Sequence, residues 1–165
     1  MQKKTLRTPW PGWSRILSFV LLALTVAFIF SNSMETAAES TVKSSAVLGG
    51  LELLLQQLPP WFTEVFLRKL GHFAEYSLVG GVLFCCLRSC TVRLWAHGTK
   101  AVLGGVLIAL TDETIQLFVE GRSGQITDVW LDSAGVLFGL LCVGCLVWLI
   151  ELQLAHRRSK TGGNL

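Results

Sequence analysis

Charge is scarce in this sequence. Only 15% of its 165 residues are Asp, Glu, Lys or Arg, where a soluble domain carries about 25%. Hydrophobic residues make up 52%, and the mean hydropathy is +0.56. A water-soluble domain is therefore excluded, and the length leaves no room for a membrane bundle plus a second, soluble domain. Basic runs are also lacking. The net charge is only +3 and the Lys and Arg residues sit beside apolar segments, so no nucleic-acid partner is expected. The loops on the outer side of the membrane contain no cysteine, which argues against a disulfide framework. Cys142 and Cys145 have a redox-like spacing, but they lie in a Leu/Val/Gly helix and read as packing. There is no internal repeat, no H-E-x-x-H zinc spacing and no G-x-S-x-G nucleophile context.

What is present is a set of long apolar runs. Four can cross a bilayer, which takes roughly 20 residues each: about 13–31, 66–88, 101–119 and 129–150. The expected fold is all-α, a polytopic bundle of four transmembrane helices in one domain over 1–165. The first run has a basic flank and small residues after it, as a cleavable signal would. It is long for a signal's apolar region, and its loss would leave an odd number of spans, so it reads as retained. With the N-terminus inside, Lys3, Lys4, Arg7, Arg15, Arg88, Arg93, Lys100, Arg157, Arg158 and Lys160 are cytoplasmic, ten of the fourteen basic residues. That distribution predicts both termini inside, with a cytoplasmic tail over 151–165. The outer loop 32–65 begins Ser-rich and acidic. It continues into an apolar stretch from Val47 to Leu58, stopped by Pro59-Pro60 and too short to span. This stretch reads as an amphipathic or re-entrant segment.

Three of the four runs carry polar residues at helical spacing. Lys69, His72 and Tyr76 share one broad face of the second run, with Glu75 beside them. Asp112 and Gln116 lie one turn apart in the third, with Glu113 adjacent. Asp128 and Asp132 lie one turn apart at the start of the fourth, and Gly135 and Gly139 continue that stripe. Between the third and fourth runs, Glu120-Gly121-Arg122-Ser123-Gly124-Gln125 reads as a tight turn that poises Arg122 over the cluster. With the orientation above, all three polar turns fall at the outer side, so they can meet. Ionisable groups in hydrocarbon cost roughly 2.5–3.5 kcal/mol each on insertion scales, so they mark a site more often than they serve as glue. The bland alternative is salt bridges such as Lys69–Glu75 and Arg122–Asp128. Five carboxylates with one His exceed what such glue needs.

Lys69, His72 and Arg122 supply donors; Glu75, Asp112 and Asp128 supply acceptors. The set suits a polar head group carrying phosphate, amide or peptide. Were the protein an enzyme, His72, Glu75 and Asp112 would be its acid–base groups. No cofactor is required by this reading, and a divalent metal on His and carboxylates is an alternative.

These residues resemble a known family. Lys69-Leu-Gly-His72-Phe-Ala-Glu75-Tyr76 is similar to the K-x-x-H-F-x-E-Y signature of the VanZ-like membrane proteins. Asp112-Glu113-x-x-Gln116, then Gly121-Arg122 and Asp128, resembles that family's second signature, and the Phe30-Ser31-x-Ser33 exit of the first run is similar too. Where the family pattern usually has Asn, this chain has Asp132. The resemblance covers about residues 10–150. It implies a small multi-pass protein of the bacterial cell membrane, whose namesake is linked to teicoplanin resistance. The leading expectation is a non-catalytic envelope protein that binds or shields a cell-wall precursor, a lipid head group or a glycopeptide. A membrane-embedded enzyme acting on a lipid-linked or lipid head-group substrate is the second, and a proton-coupled transporter the third.

Overall fold

Local signals start and stop five helices in the computed structural model, which describes residues 10–55, 59–90 and 94–162. The helices are α1 (Gly12–Ser33), α2 (Ala37–Leu55), α3 (Glu64–Cys90), α4 (Leu94–Gln116) and α5 (Ile126–Gly162). No strand occurs among the described residues. Lys3, Lys4, Arg7, Arg93 and the 56–58 stretch lie outside them, as do the side chains of Arg158 and Lys160.

Pro11 precedes α1 with an extended backbone, and its carbonyl accepts from the amide and hydroxyl of Ser14. A reciprocal box opens α2. The Glu39 carboxylate accepts from the Thr36 amide at 2.8 Å, and the Glu39 amide donates back to Thr36 Oγ1 at 3.3 Å. Thr63 caps α3 through Phe66 N at 3.3 Å. The outer segment is thus longer than the apolar run from Val47 predicts. Its helix starts ten residues earlier, because the Thr36–Glu39 cap overrides the Ser-rich composition.

Two other boundaries move. The third apolar run was expected to stay helical to residue 119, but α4 stops at Gln116. Residues 117–119 turn away on bonds to the carbonyls three residues back, at 3.0–3.2 Å. The turn completes at Gly121, whose φ of +73° is a left-handed conformation that suits glycine. The fourth run continues past residue 150 to Gly162, because neither Pro nor Gly interrupts it after Gly144. The stretch expected as a tail therefore begins as helix.

Among the described residues, three helices are long and apolar enough to cross a membrane: α1, α3 and the Ile126–Arg157 part of α5, with mean hydropathies of 2.1, 1.4 and 2.4. The expectation was four. The fourth expected span falls on α4; the side chains of its first four residues lie outside those described, and over the remainder Lys100, Asp112 and Glu113 lower the hydropathy.

The most extensive contact is α3 on α5, with α1 and α4 completing the bundle and α2 resting on α3. Small residues make the α3–α5 approach close. A Cβ built on Gly139 would lie 1.7 Å from the Ser77 carbonyl oxygen, and one on Gly80 would lie 1.9 Å from that of Val136. Ile29, Tyr76, Val79, Ala109 and Val136 form the fully buried centre. Large apolar side chains such as Phe19, Leu24, Phe28, Leu78 and Phe138 face outward, a surface matched to hydrocarbon rather than water.

Candidate functional site

One end of the bundle collects the polar residues. The ends of α1 and α4 and the beginnings of α2, α3 and α5 meet there, joined by the turn between α4 and α5. Glu113 reaches that turn from α4: its Oε2 accepts from the Gln125 amide at 2.9 Å. The Glu120 carbonyl then accepts from Ala37 N at 3.2 Å, which ties the turn to the start of α2. These bonds hold Arg122 over the bundle end. Its Nη2 donates to the Asn32 carbonyl at 3.1 Å. Burial, with Arg68 nearby, pushes the Arg122 guanidinium below its usual range, yet an arginine keeps its charge in proteins.

The site has two levels. The upper is an open pocket of about 350 Å³, lined among others by Arg68, Lys69, His72, Gln116, Arg122 and Asp128. Lys69 pairs with Asp128 across α3 and α5 at 2.5 Å, with side chains 46% and 28% exposed. Arg68 donates to Thr41 Oγ1 on α2 at 3.1 Å. Three cations therefore border the pocket, and one carboxylate offsets them.

The lower level is buried. His72 Nδ1 lies 3.9 Å from Asp132 Oδ1. Asp112 and Asp132 are both 0% exposed. Tyr76 on α3 lies within electrostatic range of both carboxylates, and Ser33 on α1 within that of Asp112. Gln116 Nε2 bridges Asp112 Oδ2 at 3.4 Å and Glu113 Oε1 at 3.3 Å. Among the described residues, His72 Nδ1, Asp112 Oδ1, Tyr76 Oη and both Asp132 oxygens are buried without a hydrogen-bond partner.

All ten residues proposed from the sequence lie at this end, in different settings. Lys69, His72, Gln116, Arg122 and Asp128 line the pocket. Tyr76, Asp112 and Asp132 lie beneath it. Glu113 braces the turn, and Glu75 turns toward α1, where it accepts from Asn32 Nδ2 at 2.9 Å. The pairs Lys69–Glu75 and Arg122–Asp128 do not form. Lys69 and Glu75 are six residues apart, so they diverge around the helix, and Asp128 is taken by Lys69. Asn32 is the residue that the sequence pattern missed. It holds Glu75 by its amide and Arg122 by its carbonyl, and its only signal was its place in the polar Ser31-Asn32-Ser33 exit of α1.

The family model described as VanZ/LLP1 matches residues 17–149, most of the chain. The chain belongs to the VanZ/LLP1 family. The matched span runs from α1 deep into α5, so the whole polar end lies inside the VanZ/LLP1 region. No curated protein and no solved structure matches the chain.

Proposed function

We propose that this VanZ/LLP1 protein is a multi-pass protein of the bacterial cell membrane that binds the anionic head group of a cell-wall-related ligand at its outer face. Four helices, α1, α3, α4 and α5, span, with both termini in the cytoplasm. The distribution of Lys and Arg supports that orientation, because it leaves the polar end outside. The observation that carries the binding role is the pocket bordered by Arg68, Lys69 and Arg122. Clustered cations with a planar guanidinium suit phosphate oxygens, and the half-apolar surroundings strengthen each contact. A lipid-linked cell-wall precursor presents its phosphates at the depth where such a pocket opens. Holding or shielding that precursor gives the cell resistance to a glycopeptide such as teicoplanin, which acts on the same material.

The test compares teicoplanin susceptibility in cells making the wild type, Arg122→Gln, Lys69→Gln, or no protein. Membrane levels are checked by immunoblot. The expected result is protection by the wild type and loss of it in both variants at equal abundance. If both variants protect as well as the wild type, the pocket does not carry the function. A membrane-embedded enzyme on a lipid head group is the second reading. It is favoured by the buried His72–Asp132 contact directly below the pocket, and turnover of a lipid-linked diphosphate by purified protein would select it.

A further inference from the structure

The lower level of the site has a charge imbalance that the pocket does not explain. Asp112 and Asp132 are both fully buried. The nearby cations face the pocket rather than these carboxylates: Lys69 pairs with Asp128, Arg122 Nη2 donates to the Asn32 carbonyl and Arg68 Nη2 to Thr41. Among the described residues, the one ion pair to either aspartate is the imidazole of His72 at 3.9 Å. Uncompensated carboxylates in a low-dielectric interior are costly, so such groups are paired or hold a metal. Four of the orphaned atoms, His72 Nδ1, Asp112 Oδ1 and both Asp132 oxygens, can accept, and the Tyr76 and Ser33 hydroxyls beside them are also without a partner. Two buried carboxylates and an imidazole nitrogen suit a cation better than an anion.

We propose that His72 of α3, Asp112 of α4 and Asp132 of α5 bind one divalent first-row metal ion, Zn²⁺ or Mn²⁺, beneath the pocket. One ligand atom from each lies within 4.8 Å of the other two. Around a tetrahedral ion with bonds of about 2.1 Å, ligand atoms stand about 3.4 Å apart, so side-chain rotations of about an ångström close the site. A mixed imidazole and carboxylate set favours Zn²⁺ or Mn²⁺ over Ca²⁺ or Mg²⁺, which prefer oxygen alone. The supporting partners are in place. Gln116 Nε2 donates to Asp112 Oδ2 at 3.4 Å and leaves Oδ1 for the metal. Tyr76, fully buried against both aspartates, brings an orphaned hydroxyl as a further ligand or as a donor to a carboxylate. The three ligands come from three helices, so the ion would also lock α3, α4 and α5 together.

Of the three metal ligands only His72 also lines the head-group pocket, and one experiment separates the two sites. Full-length protein in detergent is stripped with EDTA, then equilibrated with Zn²⁺ or Mn²⁺. Bound metal is counted by mass spectrometry, and Mn²⁺ is followed by EPR. The expected result is one ion per chain. Affinity should fall at least about tenfold, the loss that even an outer-shell change produces, in Asp132→Asn, Asp112→Asn and His72→Gln. Lys69→Gln keeps the ion while losing head-group binding. Thermal unfolding gives a second readout: the metal raises the melting temperature of the wild type and leaves that of Asp132→Asn unmoved. Substoichiometric binding by the wild type, wild-type affinity in Asp132→Asn, or a wild-type melt indifferent to metal would each overturn the proposal.

Discussion

Replacing Gly139 by alanine tests whether the α3–α5 contact sets the geometry of the site. The new methyl carbon would sit 1.7 Å from the Ser77 carbonyl oxygen and 2.6 Å from its carbonyl carbon. Ordinary contact starts near 3.4 Å, so the helices must part by about 1.7 Å, and backbone cannot rotate aside as a side chain can. Overpacking by a methylene typically costs 1–3 kcal/mol; a clash with backbone belongs at the upper end, about 3 kcal/mol. For a chain of this size, each kcal/mol moves the melting temperature by about 2–4 °C, which predicts a drop of about 6–12 °C. The same separation would pull Asp132 on α5 away from His72 on α3, now 3.9 Å from it, and metal binding should weaken with it. Tryptophan fluorescence during heating in detergent reads the first effect. Gly104→Ala is the control, because a Cβ there meets nothing within 4 Å and helix propensity favours alanine by about 0.5–1 kcal/mol. If Gly139→Ala melts with the wild type, the close α3–α5 approach is not the clamp described above.

Four further outcomes follow from other parts of the molecule. Bonds from Thr36 hold the Glu39 carboxyl below its usual range, so the α2 cap contributes above about pH 4.5 and is lost as pH falls through the lowered folded value; hydrogen exchange at the start of α2 should lose protection there, and Glu39→Gln should remove that dependence. Lys69→Met should lower the melting temperature by no more than about 2–4 °C, because a half-exposed pair is worth at most about 1 kcal/mol, while a phosphate-bearing vesicle should release the protein at lower salt. Glu151→Leu removes the carboxylate now 2.6 Å from the buried Arg88 guanidinium and should cost about 1–3 kcal/mol in chemical unfolding, less than breaking a fully buried pair because Glu151 is 26% exposed. Liposomes holding the protein should dissipate an imposed pH gradient no faster than empty ones; faster decay would restore the transport reading.

Hydropathy and spacing carried the fold a long way. They found the helices and put the polar turns of α3, α4 and α5 at one end, because successive runs that alternate in direction bring those turns to the same side. They failed where a few local bonds outweigh composition. The end of α4 at Gln116 depends on a glycine with positive φ and three backbone bonds, which hydropathy cannot register. The start of α2 was written in Thr36-x-x-Glu39, but a serine-rich context hid it. Pairing across helices was least accessible. Periodicity says which residues share a face, and it does not say which face meets which neighbour. Asn32, uncharged and at the end of an apolar run, became a hub only because α1 happens to end beside Glu75 and Arg122.

The placement of the polar residues along the bundle also bears on the readings of function. Transport through a bundle needs polar groups or water at successive levels. Here the polar set stops at Tyr76, Asp112 and Asp132. Directly beyond, Val79, Ala109 and Val136 are fully buried, and the Gly80–Val136 and Gly139–Ser77 contacts leave no room for a water file between α3 and α5. At the far end Arg88 is locked onto Glu151 and stacked 5.4 Å from the Trp10 ring. Opening a path would mean breaking backbone-level contacts along α3 and α5, the most extensive contact in the molecule. A site open at one end and sealed by a packed core is suited to holding a ligand, and to reacting with it only if a bound metal or the His72–Asp132 pair supplies the chemistry.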